Sequence, residues 1–272
     1  MSDISTSAQA ILATLLDQRK SRIERGFYWE NQIAFAYNSE KMEGNPLTKD
    51  QTRSIFETHT ITGRAVPSDY IAETENHFRL FDFMLETLEC PLDKILLLDY
   101  HRILKVGTRD DLDNLDFVVG GWKTIPNAVA GVQTTPPAEV EGEIDRLLAA
   151  YHGKREALTY RDIAGFHVFF ETIHPFQDGN GRVGRMLMFR ECLVHGLEPF
   201  IVLDEEKERY YRGLAHFDKQ PEYFIEFCEE MAELYLREYS SLVPEHYLLP
   251  RMREFMAKKP NLEAKIEGFW GD

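Results

Sequence analysis

A chain of 272 residues that is 43% hydrophobic and 12% aromatic can bury a sizeable core, and its length suits one large domain with embellishments. Its formal charge of −15, from 46 acidic against 31 basic residues, repels phosphate backbones, and no run reaches the ~20 apolar residues of a membrane span. Nucleic acid and membrane are thus excluded as expected partners, and residues 1–10, polar and small without a basic-then-apolar leader, point to a cytoplasmic location.

Ile11, Leu12, Leu15 and Leu16 recur at helical intervals. Trp29, Ile33, Ala36 and Tyr37 carry a second helix towards Ser39 and Glu43, and Gly44-Asn45-Pro46 stops it. Glu43 therefore stands near a helix C-terminus, where the dipole disfavours a carboxylate by about 0.3 to 1 kcal/mol and a cationic partner would relieve it. Ser39 lies one turn earlier on the same face. Taken by itself, a glutamate in that position is ordinarily just solvated. Thr48, with Gln51 three residues on, is a capping box that starts the next helix directly after the break.

Ile95, Leu98, Ile103 and Leu104 repeat the helical spacing, so the fold reads as mostly α. The pattern changes in residues 120–137, where Gly120-Gly121, Pro126-Asn127 and Gly131 flank Ile125, Val129 and Val132; this is the hairpin candidate. Val140, Ile144, Leu147, Leu148 and Tyr151 follow Pro136-Pro137 as a helix against the core. No repeat, low-complexity tract or Gly/Ser linker interrupts the chain between about Ser5 and Tyr239, and residues 240–272 form a tail too short for a domain. Cys90, Cys192 and Cys228 are widely spaced and read as buried thiols, not as a disulfide or zinc set.

The chemistry concentrates in residues 174–185. Ile163, Phe166, Phe169, Phe170 and Ile173 form an apolar helix that runs into His174, and a second apolar helix is expected from Arg182. The consecutive Met186, Leu187, Met188 and Phe189 require that second helix to be buried on most sides. Arg182 and Arg185 share a face of its first turn, where free N–H groups and a partial positive charge already favour an anion. Gly179, Asn180 and Gly181 tolerate left-handed or extended backbone, which lets successive N–H groups converge into a phosphate nest. Asp178 supplies a hard oxygen ligand suited to Mg²⁺ beside phosphates. His174, as a neutral imidazole, can take the proton of an attacking alcohol. The other histidines, among them His101, His152, His167 and His195, have no motif around them and are assigned structural or surface roles.

This stretch resembles the Fic family, whose motif HxFx(D/E)GNGRxxR is matched without gap or mismatch by His174, Phe176, Asp178, Gly179, Asn180, Gly181, Arg182 and Arg185. The resemblance implies a mostly α, Fic-type helical core with a β-hairpin flap and an N-terminal inhibitory helix packed on the active site. It implies transfer of AMP from Mg²⁺-ATP to a Ser, Thr or Tyr hydroxyl on an extended segment of a target protein. His174 would be the base, Asp178 the metal ligand, Gly179, Asn180 and Gly181 the anion hole, and Arg182 and Arg185 the phosphate clamps. The hairpin near residues 123–135 is similar to the family's flap, which pairs with the target segment by strand addition. Tyr210 and Tyr211 fall where adenine-side residues are found. Ser39, Glu43 and Gly44 match the family's inhibitory pattern (S/T)xxxE(G/N), which implies that Glu43 pairs with Arg185 and leaves ATP misaligned for in-line attack. On this reading residues 1–60 carry the inhibitory helix, residues 61–239 the catalytic domain and residues 240–272 the tail. The resemblance also admits a homo-oligomer and self-modification.

Other readings of the same residues stay open. The loop could transfer a phosphate, a phosphocholine or a different nucleotide, and Glu43 could position water to remove AMP from a modified target. A nucleotide-sensing module without turnover is the non-enzymatic alternative, against which the intact His174 argues. A metal-dependent hydrolase built on His174 and Asp178 lacks further spaced ligands.

Overall fold

The computed structural model describes residues 6–244 other than 62, 64, 130, 155 and 156. Residues 1–5 and 245–272, and with them most of the expected tail, lie outside the described residues. The chain order is α1 (Thr6–Ser21), α2 (Phe27–Met42), α3 (Lys49–Thr58), α4 (Ser68–Glu86), α5 (Lys94–Lys105) and α6 (Arg109–Asp113). A two-stranded antiparallel sheet, β1 (Ala128–Val129) and β2 (Val132–Gln133), follows. The chain continues through α7 (Pro137–His152), α8 (Tyr160–Ile173), α9 (Asn180–Val194), α10 (Lys207–His216) and α11 (Pro221–Tyr239). The mostly α reading holds, and the strands fall inside the expected hairpin, with Ala128 opposite Gln133 and Val129 opposite Val132.

Local chemistry sets the element boundaries. Thr48 and Gln51 form the expected capping box at α3, Thr159 and Asp162 form another at α8, and Asp93 caps α5 through the Leu96 N–H. Pro137 and Pro221 stand at the first turn of α7 and α11, where a missing N–H costs nothing. The end of α2 is a Schellman turn: Asn45 N–H donates to the Glu40 carbonyl and Gly44 N–H to the Lys41 carbonyl, with Gly44 at φ +88°. Asn45 then donates to the Tyr70 carbonyl and to Thr74, which pins the end of α2 onto α4.

The axis of the molecule is α9, against which α1, α2, α4, α5 and α8 all pack. Its Met186, Leu187, Met188 and Phe189 are all buried, as their consecutive placement requires. Two expectations need correction. The helix starts at Asn180, two residues before Arg182, because the left-handed Gly179 (φ +84°) serves as its N-cap. Of the three thiols expected to be buried, Cys192 and Cys228 are, whereas Cys90 is exposed in the turn after α4, where its carbonyl is used by Arg190.

Candidate active site

The loop between α8 and α9 is held from three sides. His174 ends α8 in the left-handed region (φ 52°), a conformation that costs a non-glycine residue of order 1–3 kcal/mol and persists where the surroundings impose it. Asn180 imposes part of it: its side-chain carbonyl accepts the Phe176 N–H at 2.8 Å and its amide donates to the Phe176 carbonyl at 2.9 Å. Phe176 is fully buried and stacks on His101 at 4.1 Å and on Trp122 at 5.5 Å. The hairpin supplies the third side. Lys123 N–H donates to the Pro175 carbonyl at 2.8 Å, its Nζ to the Ile173 carbonyl at 3.2 Å, and Asn127 to the Phe176 carbonyl at 3.1 Å. Lys123 Nζ also binds Asn127 and Thr134, so one buried lysine ties the base of the hairpin to the loop. Burial brings that ammonium down to about 8.

Burial, with the Lys123 ammonium nearby, lowers the His174 imidazole below its ordinary value, so it is neutral at neutral pH. This is the protonation state a base needs. Asp178 behaves oppositely. Burial would raise it, but Arg182 and Lys105 hold its carboxyl well below the usual carboxylate range, and Oδ2 receives Lys105 Nζ at 2.7 Å and Arg182 Nη2 at 2.7 Å.

Both arginines are already engaged by carboxylates. Arg185 Nη2 donates to Glu43 Oε1 at 2.6 Å and to the Ser39 carbonyl at 2.9 Å, and its Nε donates to Ser39 Oγ at 3.1 Å. Ser39 and Glu43 thus share one face of α2, as their spacing requires, and Gly44 makes the turn behind them. Glu43 lies against the first turn of α9: a Cβ on Gly181 would come within 2.5 Å of its Oε1. An internal carboxylate therefore stands beside the helix N-terminus that the sequence marks as an anion nest. Arg182 is committed further than expected, with Glu73 at 2.8 Å, Glu40 at 3.2 Å and Asp178 at 2.7 Å around a buried guanidinium.

The tyrosine pair divides. Tyr210 is buried, its hydroxyl 2.6 Å from His167 Nε2 and its ring 5.9 Å from the Arg185 guanidinium, so it backs the arginine instead of offering a face to a base. Tyr211 is 39% exposed and lies beside Lys207, which leaves it as the ring available on that side.

Several groups at this site carry no sequence signal. Lys105 is fully buried, 2.6 Å from Glu73, 2.9 Å from Asp110 and 2.7 Å from Asp178. Those three carboxylates place oxygens within 4.8 Å of one another, the spacing of a cation site, and the ammonium fills it. Glu40 is buried, and burial lifts its carboxyl to about 7 against the pull of Arg182. Each belongs to a helix remote in sequence from residues 174–185, and its partners emerge only when α2, α4 and α5 pack on α9.

Comparison with known proteins agrees with this geometry. A model of the Fic/DOC family matches residues 91–192, from the start of α5 through most of α9. The chain is 28% identical over 206 residues to the protein adenylyltransferase Fic of Drosophila willistoni, a match covering 72% of this chain and 39% of the relative. It thus spans about two fifths of the length of the curated relatives it matches. Its fold is similar to a Fic domain containing signaling protein from Bacteroides thetaiotaomicron, with TM-score 0.68, 22% identity and coverage of 83% of this chain and 95% of that one. It is also similar to a Fic family protein from Desulfovibrio desulfuricans, with TM-score 0.64, 23% identity and coverage of 89% and 75%. Residues 91–192, with the complete loop from His174 to Arg185 and the helices that hold it, are the part of this chain that matches the Fic/DOC family.

Proposed function

We propose that this protein is a nucleotidyltransferase that moves AMP from Mg²⁺-ATP onto a hydroxyl of a target protein, and that the structure depicts its self-restrained form. The relatives named protein adenylyltransferase support the transferred group, and the 2.6 Å contact between Glu43 and Arg185 supports the restraint. Residues 61–239 are the proposed catalytic unit and residues 1–60 the restraining one.

In the reaction, His174 takes the proton from the target hydroxyl as its oxygen attacks the α-phosphorus, and pyrophosphate leaves. The N–H groups at Gly179, Asn180 and Gly181 stabilise charge on the phosphates, and Arg185, once released by Glu43, orients the outer phosphate. Because Arg182 is enclosed by three carboxylates, its role is to hold Asp178 and the floor of the cradle as much as to bind phosphate. Asp178 fits a magnesium ion in its donor chemistry, being an ionised, half-exposed carboxylate beside the proposed phosphate cradle. The ion would neutralise phosphate charge when it enters with the nucleotide. The hairpin, fixed at its base by Lys123 and exposed at Val129 and Val132, supports strand pairing with an extended target segment. The proposed setting is the cytoplasm, with a protein partner and a homo-oligomeric enzyme. Among the described residues no helix is long and apolar enough to cross a membrane.

The test is incubation of the protein with Mg²⁺ and ATP labelled on the α- or the γ-phosphate, in cell lysate. Protein-bound α-label is expected. Label from the γ-position alone would replace adenylyl transfer with phosphoryl transfer.

A further inference from the structure

One face of α8 carries three titratable groups, His167, Glu171 and His174, and the reading above uses only the last. Glu171 Oε2 lies 3.7 Å from His174 Nδ1. Glu171 Oε1 and His174 Nδ1 are both buried without a hydrogen-bond partner among the described residues. Keeping such groups unpaired is costly, so their juxtaposition calls for a reason. The next helix leaves room for it: a Cβ on Gly184 would come within 2.9 Å of Glu171 Oε1 and 2.8 Å of His167 Nδ1. The main-chain carbonyl of Glu171 also faces the imidazole, but its geometry falls short of a full hydrogen bond.

We propose that Glu171 is a positioning residue for His174, its carboxyl taking the Nδ1–H so that Nε2 stays open to receive a proton. The proposal rests on the adenylyl-transfer reading for its kinetic consequence but not for its effect on the tautomer. In the step, the target oxygen bonds to the α-phosphorus and its proton passes to Nε2. The bond to the bridging oxygen breaks, and pyrophosphate leaves with the electron pair. The Nδ1–H stays on the ring, and its hydrogen bond to Glu171 offsets the imidazolium charge, as the outer partner of a catalytic histidine does elsewhere. A shift of about 1 Å brings the pair to hydrogen-bond distance, a tightening usual between resting and reacting sites.

The groups facing this pair are His167 on α8, Asp178 in the loop, Arg185 on α9, Glu43 on α2, Tyr210 and Tyr211 on α10, and Lys123 at the hairpin base. Burial lifts the Glu171 carboxyl to about 8, with Arg185 pulling it down and Glu43 pushing it up. Below that pH the neutral carboxyl accepts through its carbonyl oxygen; above it the carboxylate accepts more strongly. The transfer rate is expected to gain a rising limb near pH 8 that Glu171→Gln lacks.

The deciding experiment uses the full chain labelled with ¹⁵N-histidine, with His174→Ala to assign the resonance. In the wild type His174 is expected with a proton on Nδ1 and none on Nε2. Glu171→Leu should shift it towards the Nε2–H tautomer, whereas Glu171→Gln, whose amide carbonyl can accept, should keep the wild-type signature. In a Glu43→Gly background Glu171→Leu should lower kcat for α-label transfer by roughly 10- to 100-fold, the scale of such outer partners, with KM for ATP unchanged. An unchanged His174 signature in Glu171→Leu overturns the proposal and leaves the carbonyl of residue 171 as sufficient. That arm holds even if no label is transferred. If Glu171→Leu does not fold, persistence of the pH 8 limb in Glu171→Gln overturns it equally.

Discussion

Glu43 and Arg185 meet at 2.6 Å across 142 residues of sequence, a carboxylate from the end of α2 against a guanidinium from the first turn of α9. The arginine side chain is 2% exposed and the glutamate 32%, so the charge that would suffer from losing its partner is the arginine. Burial would raise the Glu43 carboxyl, but Arg185 and Arg182 hold it below its ordinary value, so it stays ionised at neutral pH.

Glu43→Gly should therefore lose stability, by about 1–3 kcal/mol: breaking a buried pair costs more in full, but Ser39 still holds Arg185. Mg²⁺-ATP should return much of it, because a phosphate replaces the missing carboxylate and binding stabilises by mass action. Thermal unfolding with and without Mg²⁺-ATP checks this. The nucleotide-induced rise in Tm should be larger for Glu43→Gly than for wild type.

Asn180→Ala should destabilise by about 1–3 kcal/mol, since it leaves the buried Phe176 N–H without its partner. Asn180→Asp keeps the acceptor for that N–H but turns the amide that donates to the Phe176 carbonyl into a second, buried acceptor, so it should cost at least as much. Urea denaturation midpoints of the two variants give the comparison.

Removing the ammonium in Lys105→Met leaves Glu73, Asp110 and Asp178 facing one another without their shared cation. A loss of about 3 kcal/mol is expected, the low end for a broken buried pair, because Arg182 still holds Glu73 and Asp178. Millimolar Ca²⁺ or Mg²⁺ should raise the Tm of this variant more than that of wild type, as the three oxygens then take a divalent ion.

The loop was legible in the sequence because its parts are contiguous: His174, Asp178, the Gly179-Asn180-Gly181 turn and the arginines lie within 12 residues, and backbone rules tie them to an anion. The Schellman end of α2 and the capping box of α3 were legible for the same reason. Lys105, Glu73, Glu40 and Glu171 were not, since a buried charge declares itself only through partners that packing brings from other helices. Tyr210 shows the converse: the family resemblance implies an adenine-side role, but packing against His167 and Phe224 turns it inward. Asn180 was read as part of the nest, and its side chain in fact clasps Phe176.

Stability should peak near pH 6.5. Burial keeps His77, His101 and His167 neutral down to about 3 and lowers His174 as well, so below about 6.5 the unfolded chain binds at least three protons that the folded one refuses, and stability falls as pH falls. Glu40 and Glu171, raised to about 7 and 8, act in the opposite sense: above their ordinary 4.5 the folded chain keeps two protons that the unfolded one releases. Between 4.5 and 6.5 the histidines prevail by at least one proton, about 1.4 kcal/mol per pH unit or more; above 6.5 the glutamates remain and stability declines towards pH 8. A Tm profile in 0.5-unit steps from pH 5 to 8 tests it, and a monotonic rise would be the wrong shape.

On the proposed function, Arg185 orients the outer phosphate of ATP for adenylyl transfer once Glu43 lets it go. The direct measurement is the initial rate of protein-bound α-label from Mg²⁺-ATP for wild type, Glu43→Gly, and Glu43→Gly combined with Arg185→Ala or with His174→Ala. Glu43→Gly is expected to exceed wild type by roughly 10- to 100-fold, equivalent to about 1.4 to 2.8 kcal/mol in the barrier. Either second substitution is expected to remove the gain. Equal rates for wild type and Glu43→Gly at saturating ATP, or undiminished label after His174→Ala, would contradict it.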